Sequence, residues 1–281
     1  MISVNKNLDD NTEIFRIVPF ATFVSWVQSD SLLCTNILNF EDPYEFPIRH
    51  SKYPPFKALI KDNKSAKAKN FFVSCWSGTF DSDAMWRIYS PDKHSMCVCT
   101  TVKKLKSALE KTYMEYGKGI QGHFSKVIYR TNAEIENIDN VTFQELFRGE
   151  LAEAHSIYWP GLLKRKAFNH EDEIRLVIYA PDIETFDPLE HQEDELFNQL
   201  LEKVMNTEKI TKYEAISFIK NFKLLNSRGD FVLPNVKCDQ YIDKVIVDSR
   251  AEDWFFETAQ DFSETHGIKC EQSNLYRVEI K

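Results

Sequence analysis

The spacing of apolar residues along the chain predicts a mixture of strands and helices. Residues 15–18 and 31–35 form short apolar stretches typical of strands, and between them the apolar residues of 20–27 recur at helical spacing. Strands and helices do not alternate strictly, which favours an α+β fold with a central mixed sheet over a doubly wound parallel sheet. The other predicted strands are 71–76, 96–100, 126–129, 171–179, 242–247, 268–270 and 276–280, and the other predicted helices are 85–89, 102–116, 143–159, 196–205, 212–225 and 254–262.

The strand predicted at 171–179 carries the most information about chemistry. Apolar side chains occupy its even positions over 174–178, while Glu171, Glu173 and Arg175 occupy the odd positions. Successive side chains of a strand point to opposite faces. One face of this strand therefore supplies a core, and the other begins with a row of charged groups.

The sequence predicts a single domain over 1–281, in which helices flank the central sheet. One insertion interrupts this domain. Residues 184–202 hold seven acidic residues and no Lys or Arg, and an apolar stripe at helical spacing follows at 196–205. We interpret 184–229 as a helical insertion that packs on the sheet. A Lys-rich stretch at 57–69 is interpreted as a solvated linker or an exposed helix.

The net charge and the distribution of apolar residues disfavour some classes of protein. Lys and Arg number 35 and Asp and Glu number 43, which gives a formal net charge of −8. This charge disfavours broad electrostatic binding of duplex DNA, but it does not exclude a local basic groove. The first fifteen residues lack an apolar signal-peptide core, and no apolar stretch approaches the roughly 20 residues of a membrane span. We therefore expect a cytoplasmic protein without a membrane partner.

The cysteines and histidines do not indicate a metal site. Six Cys lie mostly among apolar residues, which predicts reduced thiols used as small core residues. His155, His170 and His191 lack the spacing of metal-ligand motifs. The chain also lacks a P-loop, a Gly-x-Gly-x-x-Gly and a Gly-x-Ser-x-Gly, which argues against a Walker-type NTPase, a Rossmann dehydrogenase and an α/β-hydrolase.

Four groups of short motifs belong together along the chain. They are Asp42-Pro43; Val73-Ser74-Cys75-Trp76 with Ser82, Ala84-Met85-Trp86 and Tyr89; Lys164-Arg165, Phe168, His170-Glu171, Glu173 and Arg175; and Val236, Ile242, Val245-Ile246-Val247, Ala251, Trp254-Phe255, Ser273 and Leu275. These motifs resemble one bacterial family, catalogued as domain of unknown function 2971, over about 15–276. Where that family's strand motif often continues with His and its next loop with Glu-Ser, this chain has Ser77 and Asp81, so no role of that His carries over.

A second resemblance, in motif order alone, is to ADP-ribosyltransferases. Arg16 on the first strand, Ser74 and Ser77 on a central strand, and Glu171-x-Glu173 later are similar to the Arg, Ser-x-Ser, Glu-x-Glu order of those enzymes. The chain departs from it because two residues, not one, separate the serines. The resemblance implies a split sheet that binds NAD, as substrate, between its halves.

The chemistry of that reaction suits these residue types. Cleavage of the nicotinamide–ribose bond develops a cation, which Glu173 would stabilise, while Glu171 would serve the acceptor. Ser74 and Ser77 would position the ribose, and Arg16 would bind the pyrophosphate. Trp86 and Tyr89 are candidates for stacking on a base or nicotinamide, and His170 is a candidate acid or base. Lys164 and Arg165 are candidates for contact with phosphates, and Arg175 is a further charged candidate.

Each of these residues also has a structural interpretation. Glu171 and Glu173 could pair with Lys164, Arg165 or Arg175 on a solvated edge, and Arg16 could be an exposed charge. Ser74 could bond a neighbouring backbone group, and the aromatic residues could belong to the core.

Three classes of function therefore remain. The leading hypothesis is an ADP-ribosyltransferase-like enzyme that uses NAD to modify a protein or nucleic acid, in the setting of a bacterial toxin or phage-defence effector. A non-catalytic ligand-sensing or protein-interaction module is the first alternative. A nuclease or phosphodiesterase with Asp42, Glu45 and Asp81 as spare acids is the second. An inhibitory or regulatory partner protein is a further expectation for this setting.

Overall fold

The computed structural model describes residues 2–45, 70–116, 120–137, 161–180, 228–233 and 236–276, together with positions 202, 205, 211 and 212. The strands of these ranges are β1 (Ile2–Val4), β2 (Glu13–Pro19), β3 (Leu32–Asn36), β4 (Phe71–Ser77), β5 (Ser95–Thr101), β6 (Gln121–Lys126), β7 (Ile128–Arg130), β8 (Leu163–Arg165), β9 (Glu173–Tyr179), β10 (Phe231–Leu233), β11 (Lys244–Val247) and β12 (Lys269–Gln272). The helices are α1 (Phe20–Ser29), α2 (Asp83–Tyr89), α3 (Val102–Tyr116), α4 (Asn132–Glu136), α5 (Cys238–Tyr241) and α6 (Asp253–Thr265), with short 3-10 helices over Ile37–Asn39, Pro43–Glu45 and Lys166–Glu171.

Most of these strands join one mixed sheet, in the order β1-β6-β9-β4-β2-β5-β11-β12. β3 extends the sheet off this path by pairing with β4 and β10. The β1–β6 and β11–β12 pairs are parallel and the other pairs of this sheet are antiparallel, while β7 and β8 form a separate parallel ladder. A large mixed sheet flanked by helices confirms the predicted α+β class, whereas its likeness to ADP-ribosyltransferases remains a prediction.

The sheet opens between β2 and β4. β2 pairs with β5 over its whole length, and β4 pairs with β9 over its whole length. Between β2 and β4, the described residues pair only at Phe15 and Ser77, so the two strands diverge beyond that point. We call this gap the sheet opening.

The core lies mainly on one face of the sheet. Strand side chains such as Phe72 and Leu176 pack there against Phe23 of α1, Leu105 of α3 and Phe255 of α6. Complete burial of side chains of this size stabilises the fold by about 1.5–3 kcal/mol each. A smaller cluster on the opposite face consists of Phe15, Trp86, Cys97, Cys99 and Ile246.

The segment 121–130 differs from the prediction. The apolar pattern predicts one strand at 126–129, but the structure has β6 at Gln121–Lys126 and β7 at Ile128–Arg130. β6 was missed because Gly122, His123 and Ser125 give it no alternating apolar pattern. His123 and Ser125 are nevertheless buried, because β6 lies between β1 and β9.

The start of the strand at 171–179 also differs, and this changes the site. Glu171 ends a 3-10 helix, and Asp172 has the left-handed backbone angle φ of 41° before β9 begins at Glu173. The prediction that Glu171 and Glu173 share one strand face is therefore wrong. Gly78 N–H donates to the Asp172 carbonyl at 2.7 Å, which fixes this turn against the end of β4.

Four predicted segments lie wholly or largely outside the described residues: 57–69, 143–159, 184–229 and 276–280. Within the described ranges, no helix combines the length and apolar character needed to cross a membrane. All six cysteines lie in these ranges as free thiols, and all except Cys75 are buried, as predicted.

Candidate functional site

A cavity of about 700 Å³ lies at the sheet opening. Its walls come from β2, β4, β8, β9, the start of α1 and the segment 40–45. Its volume lies within the roughly 300–1,000 Å³ range of small-molecule and cofactor sites. The predicted site residues that line it are Arg16, Ser77, Tyr89, Lys164, Arg165, Glu171, Glu173 and Arg175, whereas Ser74, Trp86 and His170 are not part of its lining.

One wall of the cavity carries a cluster of five charged side chains. We call Glu45, Lys164, Glu171, Glu173 and Arg175 the ion cluster. Their side chains are between 0% and 8% exposed. Burial of charged groups is costly unless each finds a partner, so the geometry of the cluster must satisfy its members internally.

Lys164 on β8 bridges all three carboxylates of the ion cluster. Its Nζ lies 3.0 Å from Glu45 Oε1, 2.7 Å from Glu171 Oε2 and 3.0 Å from Glu173 Oε2. An ammonium group has three N–H donors. The donors of Lys164 are thus directed at three acids that lie on three different elements: two 3-10 helices and β9.

Arg175 on β9 supplies the second cation. Its Nε donates to Glu173 Oε1 at 2.7 Å and its Nη2 to Glu173 Oε2 at 2.9 Å, a bidentate pair. Nη2 also donates to Glu45 Oε2, and Nη1 donates to the Gly161 carbonyl at 2.9 Å. The guanidinium lies 5.4 Å from the centre of the Phe40 ring. Arg175 is therefore fixed on every side.

The two cations keep Glu173 ionised. Burial alone raises the pKa of Glu173, but Arg175 and then Lys164 outweigh burial and lower the pKa to about 2. Burial likewise lowers the pKa of Lys164, yet Glu173 and Glu45 raise it above its ordinary value. Formally the cluster sets three carboxylates against two cations, so it carries one excess negative charge beside the cavity.

Glu171 is held by its backbone as well as by Lys164. Ser77 Oγ donates to the Glu171 carbonyl at 2.8 Å, and Thr79 N–H donates to Ser77 Oγ at 3.0 Å. Ser77, predicted to position a ribose, thus holds the turn that carries Glu171. Across the cavity mouth, burial and the nearby Glu171 carboxylate both raise the pKa of Tyr89.

Arg16 and Ser74 lie together at the sheet opening. Arg16 Nη1 donates to Ser74 Oγ at 2.9 Å, and the guanidinium lies 5.0 Å from the centre of the Trp26 ring. Ser74 also accepts a hydrogen bond of 3.0 Å from Trp76 Nε1. Ser74 is opposite Leu176 in the register, on the main core face, whereas Glu173 is on the other face. Arg16 lines the cavity without an ion-pair partner among the described carboxylates.

The rim near β8 is built around Arg165. Its Nε donates to Asp42 Oδ2 at 2.8 Å, and its guanidinium lies 5.4 Å and 5.1 Å from the ring centres of Tyr44 and Phe168. Tyr44 in turn donates to Glu136 Oε1 at 2.5 Å. These contacts tie the segment 40–45 to β8 and make it a wall of the cavity.

Of the remaining candidates Trp86, Tyr89 and His170, only Tyr89 lines the cavity. Trp86 is 1% exposed and donates from Nε1 to Asp81 Oδ1 at 2.7 Å, so its indole cannot stack on a ligand in the cavity. Tyr89 is 39% exposed and does line it. His170 is exposed and is not part of the lining, which leaves it outside the site.

Two important residues were missed by the sequence analysis. Glu45 was noted only as a spare acid, yet it contacts both cations of the ion cluster. Its proximity to Asp42-Pro43, a motif of the family resemblance, was the available signal. Cys75 was assigned to the core, but it lines the cavity opposite Arg175, where burial and then Glu173 raise its pKa well above the ordinary value.

Fold and site thus define an α+β protein with an ion-lined cavity at an opening in its sheet. The model of the family described as Protein of unknown function (DUF2971) matches residues 85–176 of the chain. This match is consistent with the predicted family, over a shorter segment than the motifs suggested, and it includes Lys164, Glu171 and Glu173 but not Arg16 or Glu45. The comparisons with curated proteins and with solved structures found no match.

Proposed function

We propose that the protein is an NAD-dependent ADP-ribosyltransferase that modifies a macromolecular acceptor. One observation carries this proposal: the anionic ion cluster and Arg16, which has no ion-pair partner among the described carboxylates, both line one cavity at the opening between β2 and β4. A dinucleotide needs both, since its pyrophosphate is anionic and its reacting ribose becomes cationic.

The reaction needs only groups that the cavity supplies. The bond between ribose C1′ and the nicotinamide nitrogen breaks, and nicotinamide leaves with the bonding electron pair. The carboxylates of the ion cluster stabilise the oxocarbenium-like charge that develops on the ribose. A nucleophilic atom of the acceptor then bonds to C1′, and its proton passes to a carboxylate or to water. No electrons are gained or lost.

The walls of the cavity suit the other parts of NAD. Arg16 can donate further hydrogen bonds to the pyrophosphate, because among the described residues its guanidinium donates only from Nη1, to the neutral Ser74 hydroxyl. Tyr89 offers an exposed ring at the cavity mouth for stacking on nicotinamide or adenine. NAD is abundant in the cytoplasm, and an activity as a toxin or phage-defence effector there fits this chemistry.

A second candidate function is a ligand-sensing module without catalysis. The specific observation in its favour is that Lys164 and Arg175 already engage both oxygens of Glu173. Such a cluster could fix the shape of a binding cavity without taking part in a reaction. The described residues include no group of three or more His, Cys, Asp or Glu arranged for a metal ion, so nothing specific favours a nuclease.

The proposal is tested by incubating the full chain with NAD labelled in its adenylate part. Bacterial lysate protein, RNA and single-stranded DNA are supplied in separate reactions, and the label on each pool and the free nicotinamide are measured. Wild-type protein is expected to label one pool, and Glu171→Gln to lose at least about 100-fold in rate, because a charge that stabilises the cation is removed.

The control variant is Glu257→Gln, which changes an exposed carboxylate on α6, a helix that contributes no residue to the cavity lining. It is expected to match the wild type. NAD binding without nicotinamide release would favour the sensing module, and the absence of both binding and release would contradict any NAD-linked function.

A further inference from the structure

The three carboxylates of the ion cluster differ in how fully cations engage them. Both oxygens of Glu173 accept from Arg175, and one also accepts from Lys164. Glu45 directs one oxygen to Lys164 and the other to Arg175. Glu171 contacts Lys164 alone, through Oε2 at 2.7 Å. Among the described residues, no group donates a hydrogen bond to Glu171 Oε1.

Glu171 is nevertheless as firmly placed as its neighbours. Its carbonyl accepts from Ser77 Oγ at 2.8 Å, and the following turn is fixed by Gly78 N–H donating to the Asp172 carbonyl at 2.7 Å. In both contacts the acceptor is a main-chain oxygen, of Glu171 or of Asp172, so neither contact uses the Glu171 carboxylate. They orient the residue toward the cavity that it lines and leave its second carboxylate oxygen available.

Engagement by cations decides which carboxylate can act on a ligand. A carboxylate that accepts a bidentate guanidinium and an ammonium has most of its field cancelled by fixed positive charges a few ångströms away. A carboxylate with one cation on one oxygen keeps an acceptor for a hydroxyl and a net negative field for a developing cation.

We propose that Glu171 is the carboxylate that contacts NAD at the reacting ribose, while Glu173 positions Lys164 and Arg175, and Ser77 positions Glu171. This inference rests on the proposed function. It reverses the roles that motif order suggested, in which Glu173 stabilises the cation and Glu171 serves the acceptor. The ligand group at Glu171 is a ribose hydroxyl in the ground state and the cationic ring in the transition state.

The test compares Glu171→Gln and Glu173→Gln in the full chain, with NAD as the probe. Thermal unfolding is followed by circular dichroism, and nicotinamide release gives kcat and KM. Glu171→Gln is expected to unfold near the wild-type temperature and to lose at least about 100-fold in kcat. Glu173→Gln is expected to unfold at a clearly lower temperature, because two buried cations lose a shared anion.

A second pair of variants tests the positioning role of Ser77. Ser77→Ala removes the hydroxyl that holds the Glu171 carbonyl, so kcat is expected to fall by about 10-fold or more while KM changes little. Ser77→Thr keeps a hydroxyl and is expected to recover most of kcat. A merely structural role of Ser77 would lower the unfolding temperature without separating kcat from KM.

The outcomes distinguish the inference from the function on which it rests. Full turnover by Glu171→Gln, alongside a folded and inactive Glu173→Gln, would overturn the inference and leave the proposed function intact. If Glu173→Gln does not fold, unimpaired turnover by Glu171→Gln alone overturns it. Wild-type protein that neither binds nor cleaves NAD would overturn the proposed function and the inference together.

Discussion

At the scale of single residues, Glu173 shows how burial and pairing act against each other. It is 4% exposed, and burial alone would favour its neutral form. The bidentate contact with Arg175 and the contact with Lys164 reverse that preference. Removing one partner of such a buried pair leaves an uncompensated charge, which costs several kcal/mol, so the cluster constrains the fold as well as the cavity.

This pairing predicts how stability depends on pH. The pKa of Glu173 falls from an ordinary value of 4.5 to about 2 on folding. A lowered pKa means that the ionised form stabilises the folded state above pH 4.5, and that this contribution is lost as the pH falls toward about 2. Urea unfolding at a series of pH values is expected to show a smaller loss of stability in Glu173→Gln than in wild type across this window.

Other carboxylates titrate in the same window, so the comparison is between variants. Glu257→Gln, at an exposed position, serves as the control and is expected to follow the wild-type dependence on pH. A Glu173→Gln profile parallel to that of the wild type would show that the folded state does not lower this pKa.

At the scale of elements, the turn at Asp172 sets the relation between Glu171 and Glu173. The sequence shows Glu-Asp-Glu before an apolar strand, and simple alternation places both glutamates on one face. The left-handed angle at Asp172 interrupts the strand and brings Glu171 to the cavity from a 3-10 helix instead. Asp tolerates this backbone region better than most residues, but nothing in the local pattern requires it.

Substitution at Asp172 tests the importance of this turn. A β-branched side chain is strained at a φ of 41°, so Asp172→Val is expected to lower the free energy of unfolding by about 1–3 kcal/mol. Asp172→Asn, whose side chain tolerates the left-handed region, is expected to stay within about 0.5 kcal/mol of the wild type. Denaturant unfolding measures both, and equal stability of the two variants would contradict the assignment of strain.

The same scale shows which elements the sequence predicts well. The apolar pattern located β4, β5, α3 and α6 to within a few residues, because β4 and β5 are largely apolar runs buried on both faces and the two helices each bury an apolar face. It failed for β6, whose burial comes from its neighbours in the sheet and not from its own pattern. Residues 171, 173 and 175 were recognised as a charged set and Lys164 as one of their partners, but Glu45 comes from a distant segment, and no local pattern fixes its contacts with Lys164 and Arg175.

At the scale of the whole molecule, the sheet opening creates the cavity. β2 pairs along its whole length with β5, and β4 pairs along its whole length with β9. Among the described residues, the other edge of β4 pairs with β2 only at Ser77 and with β3 at Phe72 and Val73, so β2 and β4 diverge where Arg16 donates to Ser74. Motif order suggested a split sheet, whereas the structure has one sheet in which β2 and β4 pair at Phe15 and Ser77 and diverge beyond them. The order of the motifs did not indicate that Ser74 and Glu173 point to opposite faces, because side-chain direction depends on the strand register.

The central claim is that NAD occupies this cavity, and a crystal structure of the Glu171→Gln full chain grown with NAD tests it most directly. This variant is expected to slow cleavage while keeping the cavity walls in place. We predict that the pyrophosphate contacts Arg16 and that the nicotinamide ribose lies beside residue 171 and Lys164. NAD bound at another surface, or an empty cavity at saturating NAD, would contradict the account.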